Sequence, residues 1–395
     1  MKKVQATLVY GMLQASMWAI HAVLISFASN FLAEAGLEGG AVSLVLGVST
    51  ALAVVLQLVL AEVLGRSRRI PLQGAMMAMA AVMIVGTALM LFAPRPWNIL
   101  GQSLAAICMM ALPGFVNSVG VEAIERGVPI VFGVSRSFGS LFYSISSTVT
   151  GILMERMGMP AMPAMAAGLT LLFALCCLLT WKFCGPTLGT GEKKQKTHSG
   201  GFLTQNKGFA VVLAASVLFY LCHNLVANFL FYIIQDRGGA ADDQGIAAAL
   251  SAVVELPVLF CFGYMTKKVP CRRWVELSGV FFAAKSVALL LSPSVGWVIA
   301  AQVLQIGGNA TYLIASVRYA AEAVPGDPIR AQSYLGATST VASVVSMSIG
   351  GLLCERLGVN AMLMVSLIAG VLGTLLMFFA VEKNAVTLNT KTAKM

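Results

Sequence analysis

The segment Gly151-Ile-Leu-Met-Glu-Arg-Met-Gly158 returns two hundred positions later as Gly351-Leu-Leu-Cys-Glu-Arg-Leu-Gly358, each time between two long apolar runs. A second pair of signatures supports the repeat: a basic segment at 62–69 follows the second apolar run, and another at 267–273 follows the eighth. The chain is therefore predicted to be an internal duplication.

The composition places this duplication in a lipid bilayer. Of the 395 residues, 58% are hydrophobic and only 11% are charged, with a mean hydropathy of +0.86. Globular proteins contain about 25% charged residues. A membrane helix takes about 20 residues, so twelve helices use roughly 240 positions and leave no room for a sizeable soluble domain. Parallel six-span repeats are one architecture of secondary transporters, which makes solute transport the first hypothesis.

The predicted fold is an all-α integral membrane protein of twelve transmembrane helices in two parallel six-helix repeats. The predicted spans are 7–31, 41–63, 71–93, 98–121, 131–154, 161–183, 208–234, 244–265, 273–292, 295–318, 330–353 and 361–381. The predicted organisation is an N-terminal half at 1–184, a cytoplasmic linker at 185–207, a C-terminal half at 208–381 and a cytoplasmic tail at 382–395.

Positive charge predicts the orientation. Most of the 26 lysines and arginines fall in loops on the side of the N-terminus, and the opposite side holds Arg95, Arg156, Arg237 and Arg356. By the positive-inside rule we expect both termini to be cytoplasmic. The expected location is a bacterial inner membrane. The net charge of +10 then describes a face near anionic lipid. No basic cluster is interleaved with base-stacking aromatics, so no nucleic-acid partner is expected.

Charged residues inside spans are the first candidates for function, because each needs a partner or an aqueous cavity. Glu255 and Lys285 lie at similar depth in spans eight and nine and could pair; the alternative is a purely structural lock. Arg136 begins a polar stripe in span five suited to a cavity wall. Its candidate partner is Glu122, with Glu125 as the alternative.

Polar stripes at helical spacing occur on three further spans. They are Gln14, Trp18 and His21 in span one, Tyr220, Asn224 and Asn228 in span seven, and Gln302, Gln305, Asn309 and Tyr312 in span ten. Taken singly, each residue could equally serve as an interhelical hydrogen bond. Pro113-Gly114 in span four and Gly307-Gly308 in span ten predict helix interruptions at corresponding positions, which point to a substrate site.

Residues 121–123 and 132–140, Glu255, and Gly279 followed six positions later by Lys285 carry a family resemblance. They resemble segments of the oligosaccharide:proton symporter, lactose permease-like branch of the major facilitator superfamily. Residues 132–140, Phe-Gly-Val-Ser-Arg-Ser-Phe-Gly-Ser, look like the start of its fifth helix, and Val121-Glu122-Ala123 resembles its stretch with a sugar-binding glutamate. Glu255 resembles an eighth-helix glutamate, and Gly279 followed by Lys285 is similar to a ninth-helix segment ending in arginine. The resemblance implies that Glu122 and Arg136 orient substrate in a cavity between two halves.

Two departures from this pattern matter. The loop after span two resembles the superfamily signature Gly-x-x-x-Asp-Arg-x-Gly-Arg-Arg, with Leu58 and Glu62 in place of glycine and aspartate. Gly308 and Thr311 stand where the branch carries a histidine and a proton-binding glutamate. Lactose itself is therefore not the expected substrate.

These arguments define the predicted sites. The predicted substrate-binding residues are Glu122, Arg136, Trp18, His21, Asn117, Tyr143, Asn224, Asn228, Gln305 and Asn309. The predicted proton-coupling or charge pair is Glu255 with Lys285. The predicted conformational latch comprises Glu62, Gly65, Arg66, Lys267 and Lys268.

The resulting hypothesis is a monomeric secondary active transporter for a small polar organic solute, such as a sugar, glycoside or nucleoside, driven by proton symport. The alternatives are a drug or metabolite efflux antiporter and a non-transporting membrane sensor. A membrane-embedded enzyme is disfavoured because the sequence lacks His-Glu-x-x-His, Gly-x-Ser-x-Gly and Cys/His clusters. No metal and no cofactor are expected, and the eight cysteines are expected to be free thiols.

Overall fold

The computed structural model describes residues 3–66, 70–187, 202–324 and 328–392, and it is all-α. In chain order the helices are α1 (Lys3–Leu24), α2 (Ala28–Glu34), α3 (Gly39–Arg66), α4 (Leu72–Phe92), α5 (Trp97–Glu125), α6 (Phe132–Met157), α7 (Ala161–Cys184), α8 (Phe202–Gln205), α9 (Lys207–Asn228), α10 (Leu230–Asp236), α11 (Ala241–Val253), α12 (Glu255–Lys268), α13 (Cys271–Leu290), α14 (Val295–Ala301), a 3-10 turn (Gln302–Ile306), α15 (Asn309–Ala323), α16 (Pro328–Leu357) and α17 (Val359–Thr392).

Nine helical stretches within the described ranges are long and apolar enough to cross a bilayer. They are Lys3–Glu34, Gly39–Leu60, Leu72–Phe92, Trp97–Ile124, Ala161–Cys184, Lys207–Asn228, Val295–Ala320, Tyr334–Leu357 and Val359–Ala380. The three predicted spans outside this set are α6, the pair α11 and α12, and α13. These are the helices that carry Arg136, Glu255 and Lys285. α11 and α12 are only 13 and 14 residues long, whereas α6 and α13 have 26 and 20 residues.

Helix interruptions occur at one of the two predicted places. In span ten, α14 gives way to the 3-10 turn, and Gly307-Gly308 separates that turn from α15, as predicted. The prediction for Pro113-Gly114 was wrong, because α5 runs unbroken through Pro113. Proline in a membrane helix is tolerated where neighbouring groups satisfy the carbonyl that it frees.

Span eight contains a break that the sequence analysis missed. α11 ends at Val253, and α12 begins at Glu255, with Pro257 at its third position. Pro257 has no N–H to donate to the carbonyl four residues back, and its ring clashes with that carbonyl. The break therefore places Glu255 at the start of a new helix, where the helix dipole favours a negative charge.

The two copies of the repeated segment have the same local structure. Gly158 and Gly358, which end α6 and α16, adopt φ of 77° and 85°, a left-handed conformation that favours glycine. Their N–H groups donate to the carbonyl oxygens of Met154 (2.9 Å) and Cys354 (3.1 Å). The pattern of buried and exposed positions over 151–158 is identical to that over 351–358. The duplication thus preserves both the helix cap and the buried face.

The described helices form two compact units, of which the first comprises residues 1–193 together with 238–253. Within it α1 packs on α6 and α7, α4 packs on α5 and α7, and α3 packs on α5. Residues 238–253 join this unit because α11 packs along α6. The Ser144 hydroxyl donates to the carbonyl of Ala249 (3.1 Å), and the Gln244 amide donates to the carbonyl of Ser26 (2.7 Å).

The segment that follows α7 is fixed to the start of α4. The Gln73 side-chain nitrogen donates to the Gly185 carbonyl (3.1 Å) and the Thr187 hydroxyl (2.9 Å), while its oxygen accepts from the Thr187 N–H (2.9 Å). The Leu72 N–H donates to the Thr187 carbonyl (2.7 Å). Gln73 and Thr187 are buried. These four bonds, which we call the Gln73 clamp, hold the beginning of the predicted linker.

The second unit comprises residues 194–237 and 254–395. In its described part α9 packs on α16 and α17, and α13 packs on α15 and α17. Three aromatic side chains meet at its centre: the ring of Phe219 lies 5.1 Å from that of Phe282 and 5.3 Å from that of Tyr312. This buried aromatic group packs α9, α13 and α15 together.

Candidate functional site

In the first unit, α1 and α6 bring together four of the predicted substrate-binding residues. The guanidinium carbon of Arg136 lies 4.4 Å from the centre of the Trp18 ring, within the range of a cation–π contact. The His21 ring lies 5.2 Å from that of Trp18 and 6.2 Å from that of Tyr143. We call Trp18, His21, Arg136 and Tyr143 the arginine–aromatic cluster.

Helical spacing and one glycine create this cluster. Trp18 and His21 are three residues apart on α1, and Arg136 and Tyr143 are two turns apart on α6, so each pair shares a helix face. Gly139 lies between the two α6 residues. A Cβ atom there would lie 2.5 Å from Trp18 Cδ1 and 3.0 Å from an Arg136 nitrogen. The indole can approach α6 because position 139 has no side chain.

Two nitrogen atoms of the cluster are buried without a hydrogen-bond partner among the described residues. They are Trp18 Nε1 and His21 Nδ1. The Tyr143 hydroxyl, in contrast, shares a hydrogen bond of 2.7 Å with the Ser26 hydroxyl. A buried polar atom without a partner costs about 1–3 kcal/mol. Binding a ligand with its own donors and acceptors is one way to recover that free energy.

Next to this cluster, Gln14 connects α1 to α5. Its side-chain nitrogen donates to the hydroxyl of Tyr10 (2.7 Å) and to the amide oxygen of Asn117 (3.0 Å). The Tyr10 hydroxyl donates in turn to the Val116 carbonyl (3.1 Å). Asn117 is exposed, whereas Gln14 is buried. Tyr10 was missed by the sequence analysis, although it lies one turn before Gln14 on the same face.

Glu122, the predicted partner of Arg136, forms an ion pair with Arg126, the residue that follows the last residue of α5. Arg126 also donates to the carbonyl oxygen of Pro186 (2.6 Å), next to the Gln73 clamp. The ion pair that the structure gives Glu122 thus supports the linker attachment. The side chain of Glu125, the alternative partner of Arg136, lies outside the described residues.

The second unit connects Glu255 and Lys285 through a third side chain. The ammonium of Lys285 donates to the amide oxygen of Gln305 (2.8 Å), and the Gln305 nitrogen donates to a carboxylate oxygen of Glu255 (3.2 Å). Asn309 donates to the same carboxylate oxygen (3.0 Å). We call Lys285, Gln305 and Glu255 the charge relay. The predicted pair is thus brought together by an amide.

The relay depends on the two irregular segments of this unit. Gln305 belongs to the 3-10 turn and Asn309 begins α15, so the Gly307-Gly308 interruption directs both amides to Glu255. Lys285 is 7% exposed and Gln305 is 4% exposed. A buried charge of this kind is stabilised only when it is hydrogen-bonded.

A group of small polar side chains connects α13, the helix that carries Lys285, to α9 and α17. The hydroxyls of Ser286 and Ser366 lie 2.9 Å apart, and Ser366 also donates to the Cys222 carbonyl (3.0 Å). The Cys222 thiol lies 3.4 Å from the Ser286 hydroxyl. All three residues are buried. Sequence reasoning missed this group because serine and cysteine in apolar runs carry little signal alone.

The remaining predicted polar residues have diverse roles. Asn224 donates to the Ser343 hydroxyl (2.9 Å), and Asn228 is the last residue of α9. The Tyr312 hydroxyl donates to that of Ser216. Part of the polar stripe on α6, from Ser144 to Gly151, packs against α11. This part of the stripe was predicted to line a cavity, and that prediction was wrong. Small residues there allow close helix contact.

For the predicted conformational latch the structure describes the backbone only. Its residues are Glu62, Gly65, Arg66, Lys267 and Lys268. The backbone places the first three at the end of α3 and the last two at the end of α12. Their role as a latch remains a prediction.

The long apolar helices among the described residues indicate a multi-pass membrane protein. Residues 212–394 match the family model of the Major Facilitator Superfamily. A comparison with curated proteins finds no match. The family match covers the second half of the chain, and solved transporter structures share the fold over nearly its whole length.

Solved structures share this fold at low sequence identity. A mutant of the nucleoside transporter NupG is 13% identical, with a TM-score of 0.75 over 95% of this chain and 99% of its own. A POT family transporter in complex with a thioalcohol-conjugated peptide is 14% identical, with a TM-score of 0.71 over 97% of this chain and 100% of its own. A bacterial homologue of the human lysosomal transporter Spinster is 14% identical, with a TM-score of 0.69 over 96% of both chains. At such identities the likeness concerns the fold alone.

Proposed function

We propose that this chain is a secondary active transporter that takes up a small polar organic solute, of the sugar, glycoside or nucleoside class, by proton symport. The proposal includes twelve membrane spans in two halves at 1–184 and 208–381, a linker at 185–207, and both termini on the cytoplasmic side of a bacterial inner membrane. We also propose that the protein is a monomer and works by alternating access.

The arginine–aromatic cluster is the observation that supports this substrate class. It offers ring faces from Trp18, His21 and Tyr143, a cation at Arg136, and two buried nitrogen atoms without partners among the described residues. Sugars and nucleosides combine a face that stacks on aromatic rings with hydroxyl or carbonyl groups that satisfy such nitrogens. A purely apolar drug would leave both nitrogens unpaired.

The charge relay supports the coupling half of the proposal. A proton from the outer solution binds the Glu255 carboxylate, and the neutral acid then holds Gln305 and Asn309 less strongly than the carboxylate does. The same proton leaves to the inner solution after the solute is released. In this scheme Arg136 and Trp18 hold the solute, while Glu255 and Lys285 respond to the proton.

Uptake into proteoliposomes tests the proposal. Purified protein is reconstituted with an imposed proton gradient and offered labelled sugars, glycosides and nucleosides, with empty liposomes as the control. We expect one of these classes to accumulate above its external concentration and a protonophore to abolish the accumulation. Proton-driven expulsion of an apolar drug would support the antiporter instead, and solute binding with no flux would support a sensor.

A further inference from the structure

We propose that Gln305 is a positioning residue that links the charge state of Glu255 to Lys285, and that it does not bind the solute. This proposal deepens the proposed function and rests on it for its transport readouts. It changes the role that the sequence pattern gave to Gln305, which was substrate binding.

The first argument is the direction of the two hydrogen bonds. A lysine ammonium has only donors, and a carboxylate has only acceptors. Gln305 offers its oxygen to Lys285 at 2.8 Å and its nitrogen to Glu255 at 3.2 Å, so each end of the amide meets the one group that it can bind. These two contacts use the amide oxygen and one of the two N–H groups. The amide therefore has little hydrogen-bonding capacity left for a solute.

The second argument is burial. Gln305 is 4% exposed and Lys285 is 7% exposed, whereas Glu255 is half-buried. Of the three relay residues, Glu255 is thus the most exposed. A change in charge there acts on Lys285 through the amide that both of them bind. Chains of hydrogen bonds polarise one another in this way when they are removed from water.

The third argument concerns the backbone that carries Gln305. The 3-10 turn Gln302–Ile306 and the following Gly307-Gly308 interrupt span ten at the relay. A mid-helix 3-10 stretch often marks a hinge. Loss of the Glu255 charge loosens the hydrogen bonds from Gln305 and Asn309, which lie on opposite sides of the interruption. The relay therefore joins a titratable group to the irregular part of the helix.

Gln302 provides a matched control. It is also a buried glutamine in the 3-10 turn, but its side-chain nitrogen donates to the Val298 carbonyl (3.1 Å) one turn earlier. The substitution Gln302→Leu removes an amide of the same size from the same turn. A general effect of losing a buried glutamine appears in both variants, whereas an effect on the relay appears only in Gln305→Leu.

A stability cycle tests the relay without any transport assay. The melting temperature of purified protein is measured for Gln305→Leu in the wild-type background and in the double variant Glu255→Gln with Lys285→Met. We expect a clear decrease in the first background and less than about a third of that decrease in the second, because coupled residues are not additive. Gln302→Leu is expected to have the same effect in both. Equal effects of Gln305→Leu in the two backgrounds would overturn the relay.

Transport then separates coupling from solute binding. In Gln305→Leu and in Gln305→Glu we expect solute exchange with an unchanged KM, while accumulation driven by a proton gradient falls about tenfold or more. A KM raised about tenfold with accumulation intact would restore Gln305 to the solute site. If wild-type protein accumulates no solute, the proposed function fails, and the stability cycle still decides the relay. A variant that does not fold is replaced by Gln305→Met in the same measurements.

Discussion

The guanidinium of Arg136 lies over the indole of Trp18, with 4.4 Å between the guanidinium carbon and the ring centre. The contact joins α6 to α1 and holds a planar set of donors at a fixed angle to an aromatic face. Lysine keeps the charge but lacks this planar fork. We therefore expect Arg136→Lys to be expressed normally and to transport at least about tenfold more slowly than wild type, because bidentate donation is lost. Wild-type uptake rates in Arg136→Lys would assign Arg136 a purely structural role.

The buried nitrogen of Trp18 allows a more selective substitution. Trp18→Phe keeps an aromatic face but removes Nε1, which has no partner among the described residues. We expect the melting temperature to change little and the KM for solute to rise, by about three- to thirtyfold for one lost hydrogen bond. The control variant is Trp274→Phe, because Trp274 Nε1 is also buried without a partner in the described part of the chain. An unchanged KM in Trp18→Phe would exclude this N–H from solute binding.

Gly139 controls how closely the indole approaches α6. In Gly139→Ala the new Cβ would lie 2.5 Å from Trp18 Cδ1, so the ring must move away from Arg136. We expect the solute affinity to fall about tenfold or more, since a displaced ring no longer presents the same site. Gly133→Ala, earlier on α6, is the control because a methyl group added there has no other atom within 4 Å among the described residues. Equal affinities in the two variants would count against the cluster.

The charge relay predicts an asymmetry between single and double substitutions. Glu255→Gln leaves the buried Lys285 without its counter-charge, at a cost of about 3–5 kcal/mol for a buried pair, and Lys285→Met removes the counter-charge of the half-buried Glu255 at a smaller cost. We expect each single variant to be poorly folded or inactive, and the double variant to recover expression in the membrane fraction. The double variant should exchange solute without accumulating it. Full accumulation by the double variant would make the relay a structural lock, and normal single variants would contradict the relay itself.

Thiol labelling tests the predicted orientation. The eight cysteines are free, and Cys261 is the exposed one, so Cys261→Ser provides a quiet background. We expect Ser199→Cys in this background to react with a membrane-impermeant maleimide in inside-out vesicles and not in intact cells, because lysine and arginine bias places the linker inside. Labelling in intact cells would reverse the assigned topology.

Some features of the structure follow directly from local sequence signals. The duplicated Gly158 and Gly358 caps and the Gly307-Gly308 interruption depend on local sequence, and the shared faces of Trp18 with His21 and of Arg136 with Tyr143 depend on spacing along a single helix. Residues three, four or seven positions apart share a face wherever the helix is regular. Such arguments need no knowledge of the tertiary fold.

Other features depend on contacts between distant segments, which spacing does not encode. The sequence placed Glu122 near Arg136, but Arg126, the residue that follows the last residue of α5, forms the ion pair. Pro113 was expected to break α5, but Pro257 is the proline beside a break. The amide between Glu255 and Lys285 was not foreseen, because three helical segments must first come together.

The Gln73 clamp has a practical consequence for anyone who wishes to cut this polypeptide or add to it. Gly185 and Thr187 are bound to α4 by the four bonds of the clamp, and Arg126 binds the carbonyl of Pro186 between them. A fragment ending before Gly185 loses these acceptors and leaves a buried Gln73 unsatisfied. The chain should therefore be split on the C-terminal side of Thr187, and a reporter domain should be inserted on that side as well.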